Sequence, residues 1–378
     1  MNHRYGRLNM EGTVLSKRKI AKLVAEGHVK GWDDPRLYTL VGLRRRGIPP
    51  GAILAFVNEL GVSTAVSRIQ VARFENCVRR YLESTVPRLM LVLDPIPVVI
   101  TNLPDDYLEE IECPFSPKNP EFGQHTLPFT NKVYIDRSDF KEEDSKDYFR
   151  LAPGKSVGFF KVPFPIRATG FRKDPSSGAI VEVQATYEKP AEGETMKKPK
   201  AYIQWVADSP KYSSPVCAEV RVLHSLIVDK EVRHLTSDDI LLDGPKEPTP
   251  KAEERTEAPV PQPAAVPVSS DPAPSAPASK AKKVPTKAAP PLMTQILHPS
   301  SLVPYPNAVI EVGLHEIRRR APWPAAEGEK NHATAGPETV RFQGMRVGYF
   351  ALDGDTDLEG RGLVLNQIVS LKEDAGKA

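Results

Sequence analysis

The apolar periodicity of this 378-residue chain changes at Pro87, and that change limits what the chain can fold into. Before it, apolar residues recur at helical spacing. Ile20, Leu23 and Val24 share one face after Ser16, a residue type that caps helix N-termini, and Gly27 ends the run. Asp34-Pro35 reads as a cap followed by proline at the first helical position, with Leu37, Leu40 and Val41 continuing the pattern to Gly47. A third helix is expected over 50–61, carrying Ile53, Phe56, Val57 and Leu60. A fourth carries Val71, Phe74, Val78, Tyr81 and Leu82. After Pro87 the apolar runs shorten to strand length at 89–93 and 98–100. Period-two alternation follows at Val181, Val183, Ala185 and Tyr187, and at Ala218, Val220 and Val222. Residues 340–353 read as a strand pair and 363–371 as a last strand. Many short strands punctuated by glycine and proline, with no βαβ rhythm, predict β-barrels rather than a parallel sheet.

One segment fits neither pattern. Residues 244–291 hold 13 prolines in 48 positions and contain no aromatic residue, leucine or isoleucine. Such a stretch cannot bury enough apolar surface to offset its ordering entropy, so a disordered, partly extended insertion is expected. Its Lys280, Lys282, Lys283 and Lys287 suit a solvating linker better than an RNA contact. No apolar run approaches the length of a membrane-spanning helix, and MNHRYGRLNM lacks the apolar core of a signal peptide. Cys77, Cys113 and Cys217 form no CxxC pair and no disulfide framework, which suits a reducing compartment. The histidines show no ligand spacing, so no metal site is expected. Residues 1–84 hold 15 Lys/Arg against 7 Asp/Glu, although the whole chain carries only +3. A basic first segment suits a polyanionic partner, or simply a solvated helical surface.

Val14-Leu15-Ser16-Lys17-Arg18 sits where a loop opens a helix. A helix N-terminus offers free backbone N–H groups and Lys17 adds a full charge, which together suit a phosphate. On the tetrapeptide SKRK alone, an ordinary capped helix start is the commoner meaning. The order of the surrounding motifs alters that balance: YGRLN, VLSKR, GWDDPR and LRRRG, then RLMLVLDP, PEFG, LPFTNKVYIDRSDF, YIQWV, FQGMRVGYFALD and NQIVSLK. In this order and spacing they resemble the glutaminyl-tRNA synthetases of eukaryotic type, class I enzymes, with VLSKR at the position of the KMSKS loop.

The resemblance implies a mixed fold. Residues 1–27 would be the end of a class I catalytic domain with its KMSKS loop, and 28–86 a small helical domain contacting the tRNA stem. Two all-β anticodon-binding barrels would follow over 87–243 and 292–378, with 244–291 as the disordered insertion. It also implies a reaction: ATP, with Mg2+, activates glutamine to an adenylate, and the amino acid passes to tRNA(Gln). Lys17 would stabilise the departing pyrophosphate, with Arg7, Leu8, Leu15 and Ser16 holding ATP. Gln343 and Arg346 would read the anticodon. His125 stands where the family commonly has an arginine, and Lys197 and Lys200 lie in a basic anticodon-side stretch. Lys197 and its neighbour Lys198 suit solvated lysines equally well. Arg44, Arg45 and Arg46 close a helix, where cations also suit the macrodipole; phosphate contacts for Arg44 and Arg45 are the other reading. A cytoplasmic monomer with no bound metal and no membrane contact is expected. The family's HIGH signature belongs upstream of the loop, and no such tetrapeptide occurs in the chain. Glutamyl-tRNA synthetase, a non-catalytic tRNA-binding derivative and a purely structural barrel protein are the alternatives.

Overall fold

The computed structural model describes residues 6–61, 63–190, 198–227, 297–323, 336–357 and 362–371. The proline-rich segment 244–291 and Lys197 lie outside the described residues. The N-terminal unit contains the strand Leu8–Glu11 (β1), the helices Lys17–Ala25 (α1), Leu40–Arg46 (α2) and Pro50–Leu60 (α3), the strand Ser67–Gln70 (β2) and the helix Val71–Thr85 (α4). β1 and β2 pair in parallel. α3 and α4 pack through Ala52, Phe56, Phe74, Cys77, Val78 and Leu82; the α4 face is the one expected from its spacing, whereas on α3 Ala52 joins Phe56 in the core and Val57 faces solvent.

The second helix begins later than the sequence suggests. Thr39 caps α2 by accepting from the Gly42 N–H at 3.0 Å. Asp34 caps no helix. It is buried, accepts from the Lys30 and Arg36 backbone N–H groups, and takes a two-pronged bond from the Arg36 guanidinium. A short carboxylate ahead of proline serves as well inside a turn as at a helix start, and here an arginine two residues on captures it. Leu40 and Val41 consequently face solvent rather than the core.

Two seven-stranded sheets follow. In chain order the strands are Arg88–Leu89 (β3), Leu91–Val92 (β4), Pro95–Ile100 (β5), Leu108–Pro114 (β6), Gln124–Thr130 (β7), Lys132–Asp136 (β8), Ser156–Phe159 (β9), Ile166–Lys173 (β10), Ile180–Tyr187 (β11), Tyr202–Ile203 (β12) and Val206–Ala207 (β13). Then come Val216–Leu223 (β14), Leu302–Ile310 (β15), the helix Gly313–Arg320 (α5), Arg341–Gly344 (β16), Gly348–Leu352 (β17) and Leu363–Ser370 (β18).

The first sheet runs β12-β9-β10-β11-β5-β8-β13, and the second β3-β16-β17-β18-β14-β15-β4. The edge strands of each sheet are nearly continuous in the chain. Only Gln204 and Trp205 separate β12 from β13, and only Met90 separates β3 from β4. Two edges joined by one or two residues must meet, so both sheets curl into barrels, a closure that removes exposed edges. The first encloses Val98, Ile100, Phe129, Val133, Ile135, Phe159 and Trp205; the second encloses Phe342, Phe350, Leu352, Leu365, Leu314 and Ile317. Each such side chain, fully buried, contributes roughly 1.5–3 kcal/mol of transfer free energy.

The units are locked together by shared strands. All of β17 is buried: Phe350 and Leu352 fill the second barrel, while Tyr349 and Ala351 face the helical core. That double burial explains the unbroken apolar run at 348–352. Gly47, at φ 94°, ends α2 against this strand, where an added Cβ would come within 2.2 Å of the Ala351 Cβ. Between the barrels, Gln204 accepts from the Leu91 N–H at 3.1 Å and donates to the Met345 carbonyl. The closing turn of one barrel thereby grips the closing turn of the other.

Candidate nucleotide loop and nucleic-acid interface

β1 delivers the chain to the loop. Gly12, at φ 75°, makes the turn, and the Thr13 hydroxyl donates to the Met10 carbonyl at 3.0 Å. Val14 anchors the loop by burial, together with Ile20 and Leu23 of α1 and with Leu226, Ile227 and Leu297 from the second barrel's side. Ser16 has extended backbone, and its carbonyl accepts the first helical bond, from Ile20 at 2.9 Å. Lys17 and Arg18 project into solvent, with no ion-pair partner among the described residues. Leu15 is half-buried, and Arg7 and Leu8 lie exposed on β1. The loop thus presents helix N–H groups and a free ammonium to solvent from a well-anchored base, an arrangement that receives an anion.

The candidate RNA-reading residues meet at the junction of the barrels. The β16–β17 turn crosses from the second barrel to the first: Met345 packs on the first core, and Arg346, in the left-handed region at φ 64°, reaches Asp139. Both terminal guanidinium nitrogens, Nη1 and Nη2, donate to the carboxylate at 3.0 Å. Arg150 joins the same carboxylate at 2.8 Å. Asp139 is buried, so one carboxylate fixes two arginines whose outer N–H groups remain available. This pairing was not read from the sequence. Asp139 and Arg150 lie in the connection between β8 and β9 while Arg346 comes from the distant β16–β17 turn, and the one signal is a carboxylate inside the matched run LPFTNKVYIDRSDF. Gln343 shares the face of β16 opposite Phe342, half-buried, and its amide has no hydrogen bond among the described residues.

Other candidates are placed differently. The His125 side chain is 6% exposed; its Nε2 lies 2.8 Å from a Glu311 oxygen and its ring stacks on Phe115 at 4.4 Å. It is therefore an interior residue, closed off from an RNA base. Of the three arginines ending α2, Arg44 is 68% exposed and pairs with Glu338 at 2.6 Å. Arg45, expected on the tRNA backbone, is instead bonded to Asp33, Asp353 and Asp355 with 17% of its side chain exposed. Three carboxylates already neutralise it, which leaves no charge for a phosphate. Arg46 is buried, donating to the Ile368 carbonyl at 2.7 Å. Lys198 and Lys200 are exposed, and the Lys200 ammonium sits 5.8 Å from the centre of the Phe149 ring.

Two family models match the chain in tandem: the catalytic domain of class I (E and Q) tRNA synthetases over residues 1–84, and their anticodon-binding domain over 86–188. The catalytic-domain match therefore continues across the helices up to residue 84. A glutamine--tRNA ligase protein of Hypocrea virens is 49% identical over 378 residues, all of this chain. The glutamine--tRNA ligase of Saccharomyces cerevisiae is 42% identical, and a probable one of Schizosaccharomyces pombe 44%, each across 99% of the chain. The chain belongs to the glutaminyl-tRNA synthetase family. It spans 48% of the Hypocrea protein, 39% of the Schizosaccharomyces protein and 40% of the Saccharomyces protein. For a glutaminyl-tRNA synthetase segment, the mixed fold of a few helices and two closed sheets is the expected architecture. Among the described residues no group of His, Cys, Asp and Glu could hold a metal ion, and no helix is long and apolar enough to cross a membrane.

Proposed function

We propose that this chain is the nucleotide-loop and tRNA-reading portion of a glutamine–tRNA ligase. The observation that carries the reading is the match over 99–100% of the chain, from the loop at Ser16 through both barrels, to proteins named for that activity. ATP, entering with Mg2+, would lie against Arg7, Leu8, Leu15 and Ser16. As glutamine displaces pyrophosphate, Lys17 and the α1 N-terminus would meet the growing charge on the leaving group. The barrels would hold the anticodon of tRNA(Gln) through Gln343 and Arg346, with Arg150 beside them and Lys197 and Lys200 supplying charge. Arg44 remains the one backbone contact supported on α2. The protein would act as a cytoplasmic monomer.

An antibody raised against this chain captures the native protein for assay. The captured protein should charge tRNA with glutamine in the presence of ATP. Charging with glutamate instead, or tRNA binding without charging, contradicts the reading.

Arg346→Ala removes a guanidinium whose outer N–H groups, left available beside Asp139, can meet a guanine edge. It should reduce discrimination between cognate tRNA and an anticodon-swapped tRNA by about 1–3 kcal/mol, read as the ratio of the two dissociation constants. Equal weakening of both would make Arg346 a phosphate contact only.

A further inference from the structure

The first barrel exposes two large aromatic side chains, one next to Arg150 in the chain and one on the edge strand β12. Phe149 is 51% and Tyr202 54% exposed. Single exposed apolar residues are ordinary on protein surfaces. Tyr202 is held in place by the sheet beneath it. Tyr202 lies on the edge strand β12, opposite Gly158 in register. A Cβ at Gly158 would approach the Tyr202 ring to 2.4 Å and Pro199 to 2.9 Å, so glycine lets the ring lie flat on β9 while more than half of it faces solvent. The Lys200 ammonium is 5.8 Å from the Phe149 ring, and Lys200 stands two residues before Tyr202. Phe149 is followed by Arg150, which shares the Asp139 carboxylate with Arg346. Lys198 and Lys200 have no ion-pair partner among the described residues.

We infer that Phe149, Lys200 and Tyr202 form a stacking platform for unpaired bases of the bound RNA, beside the arginine pair. The inference rests on the reading of the chain as a tRNA binder and extends that surface to Phe149 and Tyr202, which that reading leaves without a role. Rigid aromatic faces with cations at their rim are the chemistry by which proteins hold splayed, single-stranded nucleotides: every base has a π-face to stack, and the cations meet the phosphates between. An apolar protein partner would leave the ammonium groups of Lys198 and Lys200 and the outer N–H groups of Arg150 without anions. A tRNA loop supplies both the faces and the charge.

The test compares the full chain with its F149A/Y202A variant, using tRNA that carries 2-aminopurine in the anticodon loop. The wild type should bind and quench the probe by stacking. The double variant should bind about tenfold more weakly and lose the quench at saturation, with an unchanged thermal midpoint, because both residues lie on the surface. Phe149→Tyr should keep both binding and quench. A double variant that binds and quenches like the wild type overturns the platform while leaving tRNA binding intact. A wild-type chain that binds no tRNA overturns the functional reading and the platform with it.

Discussion

Replacing Asp353 with alanine should lower the stability of the folded chain by about 3–5 kcal/mol, the cost of breaking a buried ion pair from one side. Asp353 is fully buried. It receives Arg45 through two bonds at 2.9–3.0 Å, the Asp355 N–H at 2.8 Å, Arg221 at 3.5 Å, and the Asn366 amide. Its side-chain partners Arg45, Arg221 and Asn366 come from α2, β14 and β18, so one carboxylate ties the helical unit to the second barrel. Without it, Arg45 and Arg221, both mostly buried, keep only the half-exposed Asp33 and Asp355 and, for Arg221, Glu219. The uncompensated charge outweighs the small cavity that the substitution leaves. Urea unfolding measures the change; a loss below about 1 kcal/mol would place the cluster with ordinary surface pairs.

The sign with pH follows from the same contacts. Burial pushes the Asp353 carboxyl up, but the bonds from Arg45, the Asp355 backbone and Asn366 outweigh it and leave the pKa below the ordinary value of 3.8. Asp34 behaves alike: Arg36 overcomes the burial of its carboxyl. A depressed folded pKa means that the stabilisation is present above the unfolded pKa and is lost as pH falls through the folded one. Stability should therefore fall in acid below about pH 4, and less steeply in Asp353→Asn.

The largest functional effect is expected at Lys17. In a glutamine–tRNA ligase carrying this segment, Lys17→Ala should slow glutamine-dependent ATP–pyrophosphate exchange by about 10²–10³-fold, the usual consequence of losing one preorganised donor to developing charge. Its side chain is exposed at the first position of α1 and has no structural partner among the described residues, so folding and tRNA affinity should not change. An unchanged exchange rate would return VLSKR to an ordinary capped helix start.

Local chemistry was legible in the sequence wherever it was periodic or punctuated. The face of α4 follows from 3.6-residue spacing and the end of α1 from Gly27, and the β16–β17 pair lies within the stretch read as two strands; on α3 the spacing found Phe56 but not the exposure of Val57. Long-range capture was not legible. Nothing near Arg45 in the chain reveals that Asp353, three hundred residues on, neutralises it. His125 shows no sign of its burial, because Glu311 and Phe115 come to it from distant strands and loops. The contact by which Asp139 aims Arg346 exists only once the two barrels are side by side. Charged residues are the hardest to place for this reason: the same arginine is a phosphate contact or an internal strut, depending on which carboxylate the fold brings near.

The most direct test of the account is competition binding of this chain to tRNA with a glutamine anticodon and to the same tRNA with the anticodon changed, at two salt concentrations. The account predicts that the changed anticodon binds about tenfold or more weakly at both salt concentrations, since base readout adds to phosphate attraction. Equal affinities that fall together as salt rises would show a basic surface with no anticodon reading and would contradict it.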